Sequence, residues 1–243
     1  SGVDHNVAPT KRVAVVAQVH PRDAEGRQDP DALRRELRAM RWGLVPHWAK
    51  DLSIGAKMIN ARAETAAEKP AFRTSLAKRR CLIPASGWYE WRRESGSKQP
   101  FYLTSTEQRS LALAGIFATW HDPASDRDAP PLFSCAVLTT DSVGALQTIH
   151  HRMPLVLAER DWAAWLDPDR AAPAELLEPP DEELLATLEL RPVSDRVNNV
   201  RNNDAQLLAR VRDPAVQEVA ATDLDELALF EPGLPAEDGS GSA

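Results

Sequence analysis

Between residues 81 and 140 the chain runs through five short apolar stretches, at 81–84, 87–92, 100–103, 111–119 and 132–140. They are rich in β-branched and aromatic residues and divided by turn-forming segments, so each is expected to be a strand. Glu94, Ser95, Gly96, Ser97 and Lys98 form a hairpin-type turn between two of them. The βαβ period of a doubly wound sheet is missing, and so is any glycine-rich phosphate loop. Further strands are expected at 13–19, 41–46 and 188–193. Residues 33–40 carry helix formers. Helices are expected at 70–80, where Pro70 suits a first turn and Lys78, Arg79 and Arg80 suit the last, at 141–149 with an Asp or Ser cap, and at 159–166. Many strands with a few interspersed helices specify an α+β fold: one β-rich domain over 1–213, with a curled antiparallel, barrel-like core and peripheral helices. Residues 214–243 are acidic and end in a run of small polar residues, so a disordered tail is expected there.

Composition narrows the partners. No apolar run approaches the roughly 18 residues of a membrane span, and residues 1–30 contain no signal-peptide core. Two cysteines, Cys81 and Cys135, make neither a disulfide framework nor a zinc site, so a reducing cytoplasm is the simplest compartment. The net charge of −7 is unevenly spread: residues 1–103 hold 19 Lys+Arg against 11 Asp+Glu, and residues 104–243 hold 10 against 25. A basic first half can attract phosphates despite the overall sign. Acidic surface helices that merely maintain solubility explain the asymmetry equally well.

Three blocks place polar side chains inside apolar stretches. In the first, Asn60 and Arg62 lie two apart and would share one face of a strand, where an amide and a guanidinium can hold a phosphate and a neighbouring sugar or base edge. The alternative is a buried Asn that satisfies backbone groups beside a surface Arg. In the second, Glu90 sits among Trp88, Tyr89 and Trp91, where burial would tune a carboxyl upward for acid–base work. The alternative is simple alternation with Glu90 on a wet face, although Trp88, Glu90 and Arg92 sharing that face also suits a binding surface. In the third, His150 can shuttle protons, and Arg152 shares its face if the stretch is extended. The alternative is a hydrogen-bonded loop histidine. Both cysteines lie in apolar strands and suit inert core thiols better than a Cys81–His150 dyad. No regular ligand spacing supports a metal, and no cofactor is expected.

Taken in order, the motifs resemble the SRAP (SOS-response-associated peptidase) family. The resemblance runs over about residues 4–210, from Asn6, Val7, Ala8 and Pro9 through Arg41–Trp48, Ile59–Thr65, Gly87–Trp91 and Ile149–Pro154 to Val197–Asn202. It implies a protein that binds single-stranded DNA and single-strand/double-strand junctions and captures abasic sites covalently. In the family an N-terminal Cys supplies an α-amine that attacks the ring-opened sugar and a thiol that closes a thiazolidine. By motif, Asn60 would position Cys and sugar, Glu90 would assist proton transfer, and His150 would act on the sugar hydroxyl. Arg62 and Arg152 would hold phosphates, and Asn6, Pro9, Trp48 and Trp91 would join the DNA groove. The family's Met-Cys-Gly-Arg start and about 30 following residues are not in this sequence, which opens Ser1, Gly2, Val3, Asp4; an upstream segment is the expectation. His151 stands where the family usually has Asp. A non-covalent single-strand binder and a thiol (auto)peptidase are the competing readings, and a monomer is expected.

Overall fold

The structure, a computed structural model, describes residues 3–213 except positions 24, 95 and 127; the expected tail at 214–243 lies outside the described residues. Among the described residues ten strands form two sheets. The larger contains β1 (Arg12–Val19), β2 (Arg34–Trp42), β3 (Asn60–Arg62), β4 (Arg80–Ala85), β7 (Leu111–Trp120), β8 (Leu132–Asp141) and β9 (Arg152–Pro154). The smaller contains β5 (Gly87–Glu94), β6 (Ser97–Ser105) and β10 (Leu188–Pro192), in the order β10-β6-β5. The large sheet runs β2-β1-β4-β7-β8-β3, with β9 also on β8. Its path of pairings returns to its start, because β2 pairs with β8 through Arg41–Ser134 and Trp42–Cys135. The β-rich curled core matches the expected fold class, but the sheet is mixed: β2 and β3 both run parallel to β8.

That mixed geometry comes from an excursion at 43–59. The chain leaves β2, loops out, and returns as β3 to continue along the same edge of β8. The base of the loop is pinched where Gly43 and Gly55 meet. A Cβ on Gly43 would lie 2.5 Å from the Gly55 carbonyl oxygen, and Gly43 has a φ of +125° that side chains disfavour. The loop closes through Leu44 N–H donating to Met58 O and Trp42 Nε1–H donating to Ile59 O.

Central strands β7 and β8 are buried on both faces, which explains why their sequences are mainly apolar and do not alternate. Leu111, Leu113, Phe117, Cys135 and Val137 face one core, shared with Phe101, Leu103 and Leu188 of the small sheet. Ala112, Ala114, Ile116, Ala136 and Leu138 face another, covered by α1 (Ala63–Ala66), α2 (Arg73–Lys78) and α3 (Trp162–Leu166). A fourth short helix, α4 (Glu182–Ala186), leads into β10 and is capped by the Asp181 side chain.

Some local expectations are corrected. The helix formers at 33–40 do not make a helix: Arg34–Trp42 is strand β2, because eight consecutive pairings to β1 outweigh intrinsic propensity. The expected helix at 141–149 is one 3₁₀ turn, Gly144–Thr148, entered from Val143 without a side-chain cap. The α-helical part of 70–80 starts only at Arg73, and that of 159–166 only at Trp162, after a 3₁₀ turn.

Arg80, expected to serve the end of a helix, is buried and ties two helices to the sheet. Its guanidinium donates to Leu76 O and Ala77 O of α2, to Trp165 O of α3, and to Asp167 O and Arg170 O beyond it. Arg80→Met should therefore leave several carbonyls unpaired and cost roughly 2–4 kcal/mol in urea unfolding, with Arg80→Lys recovering only part. An unchanged midpoint for Arg80→Met would refute this role.

Candidate active site

The three blocks come together at the C-terminal end of β8. On one side Asn60–Arg62 pairs with Val137–Thr139, and on the other Arg152–Pro154 pairs with Thr139–Asp141. Ala61 is buried, whereas Asn60 and Arg62 point outward together, as a two-residue spacing on a strand requires. Neither side chain makes a hydrogen bond among the described residues, so both polar groups remain available to a ligand.

Glu90 enters from the small sheet. Gly87 lets β5 approach β6 closely: a Cβ there would lie 2.3 Å from Leu103 O. The face shared by Trp88, Glu90 and Arg92 turns toward the protein. Trp88 packs on the core, and Arg92 stacks on Phe101 with its guanidinium 5.0 Å from the ring centroid while pairing with Asp213. Glu90 lies between them, with Oε2 3.7 Å from His150 Nδ1 and Oε1 accepting from the Trp91 N–H at 3.2 Å. Burial pushes its carboxyl above the usual glutamate range, and the neighbouring His150 and His151 offset only part of that rise.

His150 lies in a loop just before β9, not in an extended strand. Its Nδ1 is 3.0 Å from Arg152 O and 3.2 Å from Arg152 N, and its ring packs at a tilt against that of His151, with 4.3 Å between centroids. Nδ1 is thus surrounded by protein groups, leaving Nε2 for a ligand. A partly buried carboxyl that holds a proton more readily than usual, beside an imidazole, is a pair of groups able to give and take a proton.

Arg152 is part of the same cluster but is engaged by protein groups. It donates to both carboxylate oxygens of Glu64 (2.7 and 3.0 Å), to Asp141 Oδ1 (2.6 Å) and to Thr139 O (2.6 Å). Glu64 and Asp141 escaped the sequence reading. Glu64 belongs to the first block, but its partner is 88 positions away, and no local pattern announces that pair.

The remaining positions divide. Asn6 is buried, and its amide donates to the carbonyls of Val197, Asn199 and Asn202, so it pins the 194–202 segment rather than facing a groove. Pro9 is exposed in a turn beside the end of β2, and Trp48 is 50% exposed on the 43–59 excursion. Trp91 points to the face of β5 opposite Glu90, donating to Asn198 Oδ1 under the Lys98 ammonium. Cys81 and Cys135 are fully buried. Burial raises the Cys81 thiol well above its ordinary value and Cys135 to about 12, so neither supplies a thiolate. Among the described residues no three His, Cys, Asp or Glu side chains are placed to hold a metal, and no helix is long and apolar enough to cross a membrane.

The raised Glu90 pKa has a definite sign in stability. A carboxyl whose pKa rises on folding costs stability above its folded pKa, and the cost fades as pH falls through that value toward the unfolded one. Glu90→Gln, which cannot ionise, should therefore melt higher relative to the native protein at pH 8 than at pH 4. A difference that grows toward acid would contradict the assigned burial.

The SOS response associated peptidase (SRAP) family profile matches residues 2–200. Abasic site processing protein YoaM of Bacillus subtilis is 38% identical over 208 residues, covering 84% of this chain and 83% of its own length. Abasic site processing protein HMCES of Xenopus tropicalis is 32% identical over 209 residues, covering 76% of this chain and 60% of its own length. Among solved structures, a protein from Bacteroides thetaiotaomicron superposes with a TM-score of 0.68 at 26% identity, covering 84% of this chain and 82% of that one. With its motifs in order and its curled sheet in place, this chain belongs to the SRAP family.

Proposed function

We propose that this protein processes abasic sites in single-stranded DNA and at single-strand/double-strand junctions, capturing the damaged sugar covalently and shielding it. The observation that carries the proposal is the Glu90–His150 pair at 3.7 Å, on the rim where exposed Asn60 and Arg62 also lie. The relatives YoaM and HMCES are abasic site processing proteins by name, which supports the same substrate.

In this reading the nucleophile is an N-terminal Cys supplied upstream of Ser1. Its amine attacks C1′ of the ring-opened aldehyde. The carbinolamine loses its oxygen as water, giving an imine. The thiol then adds to the imine carbon, its proton passes to nitrogen, and a thiazolidine closes. Glu90, with its raised pKa, holds a proton for the departing oxygen, and His150 Nε2 acts on the sugar hydroxyl during ring opening and reversal. Asn60 orients the sugar, and Arg62 meets a phosphate. A peptidase built on Cys81 finds no support, because that thiol is buried and its pKa is raised.

A denaturing gel with single-stranded DNA bearing one abasic site tests the proposal. A form carrying an upstream Met-Cys-Gly-Arg segment should yield a heat-stable adduct, and Glu90→Gln should slow its formation by about 10²-fold. If neither the extended nor the present form reacts, yet both bind intact and abasic DNA equally with strong salt dependence, the protein is a non-covalent binder and the proposal fails.

A further inference from the structure

We infer that Glu64 is a positioning residue for His150: by gripping the Arg152 guanidinium it holds the Arg152 peptide against the imidazole, so that Nε2 is the nitrogen presented to the ligand. The functional consequence rests on the acid–base role proposed for His150; the geometry does not.

Four observations carry it. First, Glu64 meets Arg152 end-on, one carboxylate oxygen to each terminal nitrogen, at 2.7 and 3.0 Å. Such a fork fixes the guanidinium plane as well as its position. Second, no other group on the guanidinium repeats that fork. Asp141 offers one oxygen to Nη1 from a side chain that is 77% exposed, against 45% for Glu64, and Thr139 meets Nη2 alone, through its carbonyl at 2.6 Å and its hydroxyl at 3.3 Å. Thr139 fixes one nitrogen from β8, and Glu64 is the carboxylate that fixes both. Third, Arg152 begins β9, opposite Asp141, so its peptide is set both by the strand pairing and by its anchored side chain. Fourth, that peptide brackets His150 Nδ1 with a carbonyl at 3.0 Å and an N–H at 3.2 Å.

The bracket has a chemical consequence. Nδ1 finds an acceptor when protonated and a donor when not, so the ring can pass through a proton cycle without turning. The Arg152 carbonyl is the closer of the two hydrogen-bonding groups at Nδ1, 3.0 Å against 3.2 Å for the N–H, while the Glu90 carboxyl stands outside hydrogen-bond reach at 3.7 Å. The neutral ring is therefore held mainly with its proton on Nδ1, and Nε2 acts as the base. Glu64 reaches His150 only through Arg152, and it ties β3, which carries Asn60 and Arg62, to the loop that carries the histidine.

The test reads the ring itself, in the full chain without DNA. Long-range ¹H–¹⁵N spectra of histidine-labelled protein, with His150→Gln for assignment, should show the Nδ1–H form dominant in the native protein. Glu64→Ala should convert it to a mixture of both tautomers and shift the titration midpoint. Glu64→Gln, which preserves volume and keeps one acceptor oxygen, should lie between, and it repeats the test with little risk to folding. In the abasic-site reaction, Glu64→Ala should slow the rate by up to roughly 10²-fold and displace the pH profile. An unchanged tautomer and midpoint in both variants would overturn the inference, as would tighter DNA binding with an unaltered ring, which would make Glu64 a mere competitor for Arg152. A native protein inert toward abasic DNA would defeat the proposed function instead, while the ring spectra still decide the role of Glu64.

Discussion

The architecture depends on satisfying both edges of one strand. β8 is buried along most of its length, so its backbone donors and acceptors must find partners in other strands. On one edge β2 serves Ser134–Cys135 and β3 serves Val137–Thr139; on the other β7 serves Leu132–Val137 and β9 serves Thr139–Asp141. Each edge changes partner partway along. The second partners, β3 and β9, are three residues long and exist as strands only because β8 is there to receive them. They are also the strands that bring the Asn60 block and the His150 block together.

The small sheet adds the third component and sets the electrostatics. Its β5 carries Glu90 to the His150 loop while Trp88 and Arg92 hold the same face against the core. Burial would make an isolated carboxylate costly, and the histidine beside it compensates partially. The rim holds the carboxylates of Glu64 and Asp141 against the guanidinium groups of Arg62 and Arg152, so it is charge-mixed rather than simply basic. The same holds for the whole chain. Residues 214–243 contain seven Asp+Glu and no Lys or Arg, which accounts for the entire net charge of −7, and residues 1–213 are balanced. Attraction for a phosphate chain therefore depends on which basic groups are left unpaired locally, and Arg62 is one that makes no hydrogen bond or ion pair among the described residues.

What could be read from the sequence follows the range of the interactions involved. β4 to β8 were legible because apolar strands and their turns are local patterns, and the pairing of Asn60 and Arg62 on one face follows from the strand period. Glu90 and His150 could be singled out by residue type and neighbours, but their proximity is a tertiary fact. β2 was obscured by helix formers, since its state is decided by β1 and β8 rather than by its own residues. Asn6 pointed to a DNA groove by motif, yet it pins carbonyls more than 190 positions away. The Glu64–Arg152 fork was invisible for the same reason: charged pairs distant in sequence carry no period.

In the proposed function Glu90 and His150, brought together by two different sheets, face the sugar of an abasic site. The most direct test is an NMR titration that follows the Glu90 carboxylate carbon and the His150 ring nitrogens as single-stranded DNA is added, with and without one abasic site in the same sequence. Large shifts at both groups, specific to the abasic strand, are the predicted result. Equal responses to intact and abasic DNA, or none at either group, would mean that the pair does not face the abasic sugar.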